Sequence, residues 1–194
     1  MKYSKRARRF SAIVAVDDLD GAGDMMALYE PVIHFEASVL RRIQRQALVD
    51  CSVAQMYDLV TDIPAYPDFL PWCAGASIIE EKVQAGSASS VVAHLDLAWG
   101  PIRYRLVTRN DNEPPGRVHM HLVRGPLNQL DGTWSFETGE RGSTRVGLDL
   151  SFTLAHRMTG LFVAPLISEA METLTDAFVM EARRRYGGLN PHAD

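Results

Sequence analysis

The feature that most constrains the fold is a long segment of helical periodicity near the end of the chain, from Thr159 to Tyr186. Apolar residues recur in it at steps of three and four, which places them on one face of a helix: Val163, Ile167, Ala170, Met171, Leu174, Ala177 and Phe178. Three arginines precede Gly187-Gly188, a charge and stop pattern typical of a helix C-terminus. At 1.5 Å per residue the helix would be roughly 40 Å long. It therefore needs an apolar surface that spans a whole small domain.

Pro165 interrupts this segment, because proline has no N–H to donate to the carbonyl one turn back. Two outcomes stay open: the helix proper begins at Pro165, where proline is tolerated, or the helix kinks there. In both cases we expect a short mobile leading segment followed by a rigid helix.

From Val39 onward the chain alternates between apolar and polar residues, with turn residues about every dozen positions. This pattern is typical of an antiparallel meander with one buried face. A first strand is followed by a helix with capping-box spacing at Ser52, which must end by Ile63 because Pro64 follows. Six more strands begin near Ala76. We predict an α+β fold: a first strand, two short helices, and a curved antiparallel sheet of about seven strands wrapped around the C-terminal helix.

The ten residues from Pro64 to Cys73 contain three prolines and three aromatic residues, which excludes a strand. A stiff loop or a broken short helix fits this composition. Such a loop normally packs its aromatic side chains onto the core, and the functional alternative is a lid over an apolar pocket.

The first 38 residues differ from the rest of the chain, because five basic residues come before Asp17 and acidic residues then nearly cancel them. We predict a poorly ordered extension over residues 1–38, or a start codon placed too early. A basic arm for RNA and an organelle-targeting peptide are the alternatives. The predicted domain covers residues 39–187, and residues 188–194 form a C-terminal tail.

Overall charge and composition narrow the function. The formal net charge of −4 provides no global basic field for nucleic acid, so we expect no DNA partner. No apolar run approaches the roughly 18 residues of a membrane span. The two cysteines, Cys51 and Cys73, form neither a disulfide framework nor a metal-ligand pattern. We predict a cytoplasmic protein, with transient contact at the inner membrane surface as an extension of that prediction.

Two motifs in register resemble those of a known family. Tyr66-Pro67-Asp68-Phe69-Leu70-Pro71-Trp72-Cys73 is similar to the YPxFLPxC stretch of the coenzyme Q-binding proteins and the RatA ribosome-association toxins. The second run resembles the family's GPF-x-x-L-x-G-x-W-x-F pattern and comprises Gly125, Pro126, Leu127, Leu130, Gly132, Trp134 and Phe136. Leu127 stands where aromatic residues are commoner. The resemblance covers about residues 39–187 and implies the START-like helix-grip fold of the polyketide cyclase/dehydrase superfamily.

No catalytic constellation is evident. His119 and His121 share one strand face and His94 lies on another strand, so three imidazoles could bind zinc. Because they lie opposite the apolar residues, we interpret them as solvated histidines. Cys73 lacks an evident orienting histidine or carboxylate and is interpreted as a packing residue. The carboxylates of the long helix are assigned to its wet face: Glu169, Glu172 and Asp176. We predict no enzymatic activity, no metal and no cofactor.

What remains is an apolar concavity, and the resemblance implies that it holds a hydrophobic ligand. A polyprenyl quinone such as ubiquinone would suit it, because each buried CH2 group contributes about 0.8 kcal/mol. The predicted lining consists of Tyr66, Phe69, Leu70, Trp72, Leu95, Tyr104, Leu106, Met120, Trp134, Phe152, Phe162, Leu166, Ile167 and Met171. We expect Pro64–Cys73 and Thr159–Ala164 to form one gate, since segments with few backbone hydrogen bonds open at low free energy.

Three functions follow in order of preference. The first is non-enzymatic binding of a quinone in support of respiratory electron transport. The alternative is a RatA-like toxin that binds the ribosome and hinders subunit association, motivated also by outward arginines: Arg103, Arg105, Arg109 and Arg124. A polyketide cyclase-like enzyme ranks last, because its pocket needs polar groups and the inward positions are almost all apolar.

Overall fold

The computed structural model describes residues 40–84, 88–155 and 164–187. The predicted N-terminal extension, the tail from residue 188 and the leading segment of the long helix, with Phe162 and Val163, lie outside these residues. The helices and strands are β1 Arg41–Val49, α1 Val53–Thr61, β2 Cys73–Val83, β3 Ser89–Trp99, β4 Ile102–Glu113, β5 Arg117–Arg124, β6 Leu127–Thr138, β7 Thr144–Leu154 and α2 Ala164–Tyr186. Short 3-10 helices occupy Ile63–Asp68 and Glu140–Gly142.

The seven strands form one antiparallel sheet in the order β1-β7-β6-β5-β4-β3-β2. Consecutive strands from β2 to β7 are neighbours, as the predicted meander requires. β1 pairs with β7, the last strand, so the first and last parts of the sheet meet at one edge. The predicted α+β helix-grip architecture is confirmed.

Side-chain alternation gives the sheet an apolar concave face and a polar convex face. On β3, Val91, Ala93, Leu95 and Leu97 are buried, whereas His94 and Asp96 lie on the other side. The concave side of β7 is equally apolar and consists of Val146, Leu148, Leu150, Phe152 and Leu154. The apolar face of α2 packs on this concave side.

Helix α1 begins at the predicted capping box. The Ser52 hydroxyl accepts a hydrogen bond from the Gln55 amide at 3.2 Å, and the Gln55 side chain accepts one from the Ser52 amide at 2.8 Å. Two amides that would otherwise lack partners at the helix start are thereby bonded. The helix ends at Thr61, in agreement with the limit set by Pro64.

Helix α2 is described over Ala164–Tyr186, and Pro165 lies in its first described turn. The residues before Ala164 lie outside the described part of the chain, so both outcomes for Pro165, a helix start and a kink, stay predictions. Most of the predicted apolar stripe is buried or half-buried: Ile167, Ala170, Met171, Leu174, Ala177 and Phe178. Three polar residues that apolar periodicity did not indicate are buried on α2 as well: Ser168, Thr175 and Glu181.

The proline-rich stretch after α1 is a broken short helix, one of the two predicted forms. Its backbone is hydrogen-bonded: the Leu70 amide donates to the Tyr66 carbonyl and the Cys73 amide to the Leu70 carbonyl, both at 2.9 Å. The Trp72 carbonyl accepts from the Ala98 amide of β3 at 2.8 Å. The expectation that this stretch would have few backbone hydrogen bonds is therefore wrong. The 3-10 geometry gives hydrogen-bond partners to backbone amides and carbonyls that the proline content suggested would lack them.

Candidate functional site

The predicted ligand-lining residues of the sheet lie together on the concave face. Leu95 and Leu106 are direct cross-strand partners on β3 and β4, and Tyr104 is opposite Leu97. The remaining lining residues of the sheet, Met120, Trp134 and Phe152, follow on β5, β6 and β7. On α2, Ile167 and Met171 are buried and Leu166 is half-buried. Phe162 lies outside the described residues.

The aromatic residues of the proline-rich stretch pack against α2 and the sheet. The Phe178 ring lies 5.1 Å from Tyr66, 5.0 Å from Phe69 and 5.2 Å from Trp134, measured between ring centroids. The contacts of Tyr66 and Phe69 with Phe178 are edge-to-face, an arrangement that aromatic pairs favour. Leu70 and Trp72 are buried in the same hydrophobic core. We refer to Tyr66, Phe69, Trp134 and Phe178 as the aromatic cluster.

The two polar groups of this stretch have structural roles. The Tyr66 hydroxyl donates to the Val60 carbonyl at 2.6 Å, and burial raises the pKa of this phenol well above its ordinary value. Burial also raises the pKa of the Cys73 thiol, which donates to the Gly75 carbonyl at 3.4 Å. A neutral buried thiol is a poor nucleophile. These contacts support the interpretation of Cys73 as a packing residue.

The predicted lining falls at different levels along α2. Phe178, which holds Tyr66 and Phe69, comes eleven residues after Ile167 and seven after Met171, or about 16 Å and 10 Å along the helix axis. The structure thus brings the proline-rich stretch to the second half of α2 rather than to its first turns. The other half of the predicted gate, from residue 159, lies outside the described residues, and the gate stays a prediction.

The concave face also carries polar side chains on β4. Thr108 and Asn110 are cross-strand partners of the buried Ala93 and Val91, so they point the same way. The Asn112 amide group donates to the Ser89 hydroxyl at 3.2 Å. The expectation that the inward positions are almost all apolar is therefore wrong for this half of β4. The alternation along β4 could have indicated this, because Thr108, Asn110 and Asn112 are spaced at steps of two from the inward-facing Tyr104 and Leu106.

Three polar atoms in the interior have no hydrogen-bond partner within the described part of the chain: Asn110 Oδ1, Asn112 Oδ1 and Thr175 Oγ1. The residues that carry them are only 7%, 7% and 2% exposed. A buried polar group without a partner costs about 1–3 kcal/mol. Amides and hydroxyls of this kind orient a polar group by hydrogen bonding but do not transfer protons near neutral pH.

The convex face brings together two of the three predicted histidines. His119 and His121 lie beside Asp131, with His121 Nδ1 at 3.0 Å from Asp131 Oδ2 and His119 Nε2 at 3.5 Å from Asp131 Oδ1. His94 is elsewhere, with Nδ1 at 3.2 Å from the Ser77 hydroxyl and Nε2 at 3.7 Å from Asp96. Sequence reasoning missed Asp131, because the cross-strand register that places it opposite His121 cannot be read from local spacing.

The outward arginines differ in their contacts. Arg105 is held by Asp96 through two hydrogen bonds of 2.6 and 2.9 Å, and Arg103 donates to the carbonyls of Gly100 and Ile102. Arg109 and Arg124 are exposed and form no ion pair with any residue that the structure describes. Further along the convex face, a groove of about 930 Å³ runs across β1, β7, β6 and β5 and is bordered by Arg42, Gln44, His119, Asp131, Thr133 and Asp149. No helix among the described residues has the length and apolar character needed to cross a bilayer.

Sequence comparison identifies a matching family and related proteins. The chain matches the family described as polyketide cyclase / dehydrase and lipid transport over residues 49–179. It is 36% identical over 145 residues to the ribosome association toxin RatA of Pseudomonas aeruginosa, a match that covers 75% of this chain and 97% of that protein. It is 26% identical over 140 residues to the mitochondrial coenzyme Q-binding protein COQ10 homolog B of Xenopus laevis, covering 70% of this chain and 55% of that protein.

Solved structures share the architecture at lower sequence identity. A START superfamily protein from Mycobacterium smegmatis superposes with a TM-score of 0.60 at 19% identity, covering 74% of this chain and 97% of that one. The ZhuI aromatase/cyclase from Streptomyces superposes with a TM-score of 0.58, also at 19% identity, covering 76% and 96%. At this identity the likeness establishes the fold alone.

Proposed function

Since the chain belongs to the polyketide cyclase / dehydrase and lipid transport family and is similar in sequence to RatA, we propose that it associates with the ribosome. The observation that carries this proposal is the 36% identity to a ribosome association toxin over 97% of that protein's length. The match also covers 75% of this chain. The order of preference from the sequence is thereby reversed, and quinone binding becomes the second candidate.

The convex face supports this proposal through its arginines. Arg109 lies on β4, where it pairs with His121 of β5. Arg124 lies on β5, where it pairs with Val107 of β4, so the two arginines are on adjacent strands. Both are exposed, and neither is held in an ion pair with a described residue. A guanidinium that is free to form two parallel hydrogen bonds suits a phosphate group. The paired Arg105 is less available for such a contact.

Sucrose-gradient sedimentation of lysates from cells that overproduce the protein tests the proposal. We expect the protein to sediment with ribosomal particles and the fraction of assembled ribosomes to fall. Binding of purified protein to ribosomes should weaken steeply with salt, because contact with RNA phosphates releases counterions. An unchanged ribosome profile, together with protein only at the top of the gradient, would contradict the proposal.

Arginine variants locate the contact. Arg109→Gln and Arg124→Gln should each weaken ribosome binding and reduce the slope of log affinity against log salt by about one. Arg183→Gln is the matched control, because Arg183 is also exposed but lies on α2. Equal effects of all three variants would show that only overall charge matters and not the convex face.

Binding of a hydrophobic ligand with a polar end is the second candidate, and the interior polar atoms favour it. Asn110, Asn112 and Thr175 leave hydrogen-bonding capacity unused inside an otherwise apolar interior. The Thr175 hydroxyl could donate to a carbonyl oxygen of a quinone ring, whereas Asn110 Oδ1 is an acceptor and could accept only from a donor such as a hydroxyl of the reduced ring. An isoprenoid tail would lie against residues such as Leu106 and Met171. The names of the family and of the coenzyme Q-binding relative agree with such a ligand.

Solvent extraction and mass spectrometry of protein purified from its membrane-containing host test this candidate. We expect a quinone or another isoprenoid lipid in the extract, and less of it from Asn110→Leu and Phe69→Ala proteins that remain folded. Ribosome binding serves as the control readout, since these residues do not contribute to the convex face. Repeated extractions without any lipid would leave ribosome association as the sole proposal.

A further inference from the structure

We propose that His119, His121 and Asp131 form a site for a divalent transition metal ion on the convex face of the sheet. This inference differs from the sequence-based interpretation of the histidines as solvated residues. It also stands apart from ribosome or lipid binding, because it rests on the geometry of three side chains alone.

Strand geometry explains how the three side chains meet. Residues two apart on a strand point to the same face, so His119 and His121 project together from β5. Asp131 on β6 is the direct cross-strand partner of His121. One ligand atom from each of the three residues lies within 4.8 Å of the other two. Two elements of a rigid sheet therefore hold the ligands.

Two of the ligand separations, each to a different oxygen of Asp131, are close to those of a coordination sphere. Metal–nitrogen and metal–oxygen bonds of about 2.0–2.2 Å at tetrahedral angles place ligand atoms roughly 3.3 Å apart. The observed separations from the Asp131 oxygens are 3.0 Å to His121 Nδ1 and 3.5 Å to His119 Nε2. The two imidazole rings lie 4.3 Å apart between centroids, so they already sit side by side. An ion bound between them would draw the three ligand atoms closer together than the 4.8 Å within which they now lie.

A second carboxylate, that of Asp111, lies on the side of the His121 ring away from the proposed ion. Asp111 Oδ2 lies 3.9 Å from His121 Nε2, the nitrogen that would not bind the metal. Asp111 is itself held, because the Ser90 hydroxyl donates to its Oδ1 at 2.7 Å. Metal-binding histidines commonly donate their second N–H to a carboxylate, which fixes the ring and its tautomer. At 3.9 Å Asp111 is too far from His121 for a direct hydrogen bond, so this supporting role requires the two side chains to approach each other when the ion binds.

The ligand set selects the class of metal. Two imidazoles and one carboxylate suit Zn²⁺, Co²⁺ or Ni²⁺, whereas Mg²⁺ and Ca²⁺ prefer oxygen ligands throughout. The side chains of His119, His121 and Asp131 are 40%, 42% and 47% exposed. His119 and Asp131 also border the convex groove. An ion held here keeps at least one coordination position open to the groove, for water or for a group on a binding partner.

Calorimetric titration of the tag-free full chain with Zn²⁺ alone tests the proposal, with Co²⁺ absorption as a second readout. We expect one equivalent to bind and Co²⁺ to show the visible bands of a low-coordinate nitrogen- and oxygen-ligated ion. His119→Ala, His121→Ala and Asp131→Asn should each lower Zn²⁺ affinity by at least about 100-fold, and Asp111→Asn by about 10–100-fold. Circular dichroism verifies that each variant is folded.

His94→Ala is the matched control, because His94 lies on the same face beside an aspartate but outside the cluster. It should leave affinity unchanged. The absence of Zn²⁺ binding and Co²⁺ bands in the unmodified protein would overturn the proposal. So would undiminished binding by the double variant His119→Ala/His121→Ala, because the ion would then be held by other residues of the chain.

Discussion

Glu181 is a charged residue of α2 that is buried in the core. Its side chain is only 4% exposed, yet it accepts hydrogen bonds from Arg184 at 2.6 and 2.7 Å and from Arg185 at 2.6 Å. The hydrogen bond from Arg184, followed by that from Arg185, lowers the pKa of Glu181 below its ordinary value of 4.5, although burial opposes the shift. Arg185 also reaches Asp62 at 3.4 Å, so the group connects α2 to the end of α1.

Replacing this carboxylate should cost stability in a pH-dependent way. We expect Glu181→Gln to lower the free energy of unfolding by about 1–3 kcal/mol at pH 7, a modest loss because Arg184 is largely exposed to solvent. A carboxyl whose pKa is lower in the folded state stabilises the fold above its unfolded pKa. The difference between the two proteins should therefore be full above about pH 5 and shrink as the pH falls through the folded-state pKa.

Urea unfolding followed by circular dichroism between pH 3 and 7 measures this difference. Glu172→Gln is the control, since Glu172 is exposed on the same helix. A pH-independent loss in Glu181→Gln would mean that packing, and not the ion pairs, accounts for the effect.

Among the elements, α1 depends on its first turn. The helix has only nine residues, a length at which isolated helices are marginal. We expect Ser52→Ala to lower the free energy of unfolding by about 1 kcal/mol, because the amide of Gln55 loses its partner. Thermal unfolding provides the measurement. Ser52→Asp, which keeps an acceptor at the cap, should retain most of the stability, and a loss equal to that of the alanine variant would argue against the capping role.

The elements could be predicted from sequence where one local rule governs them. The capping box of α1 and the strand alternation of β3 and β7 depend on neighbours within a few residues. The polar residues Thr108, Asn110 and Asn112 were not recognised as buried, because polarity usually marks the wet face of a strand. The alternation that they share with Tyr104 and Leu106 indicated the inward side, and the pairing of β4 with β3 places them opposite the buried Ala93 and Val91.

The same distinction separates the parts of the candidate site. Alternation along the strands was enough to predict that Leu95, Leu106 and Trp134 lie on the concave face. It does not show that they contact a ligand, which the lipid extraction experiment tests. Asp131 joins His119 and His121 only through the register between β5 and β6. Spacing along one strand could identify the two histidines, but it could not identify their cross-strand partner.

At the scale of the whole molecule, Phe178 connects three parts of the fold. It is almost fully buried and contacts Tyr66 and Phe69 of the proline-rich stretch and Trp134 of the sheet. We expect Phe178→Ala to lower the free energy of unfolding by about 3–5 kcal/mol, since it removes a large buried ring and leaves a cavity. Chemical denaturation monitored by Trp fluorescence measures the change.

Met180→Ala is the control for truncating a large apolar side chain of α2 that is not in the core, because Met180 is 70% exposed. Its effect should stay within about 0.5 kcal/mol. A comparably small effect of Phe178→Ala would show that the aromatic cluster is loosely packed and that the proline-rich stretch is stabilised chiefly by its own backbone hydrogen bonds.

The pairing of β1 with β7 has a consequence for the newly made chain. Arg41 pairs with Phe152, so the first strand emerges from the ribosome long before its partner has been translated. At about 5–20 residues per second, synthesis of the intervening segment takes roughly 5–20 s. Throughout that delay the inward side of β1, including Ile43 and Val49, has no neighbouring strand to cover it. Translation must also continue through α2 before the concave face is closed, so complete folding occurs near the end of synthesis and favours prompt chain release or chaperone protection.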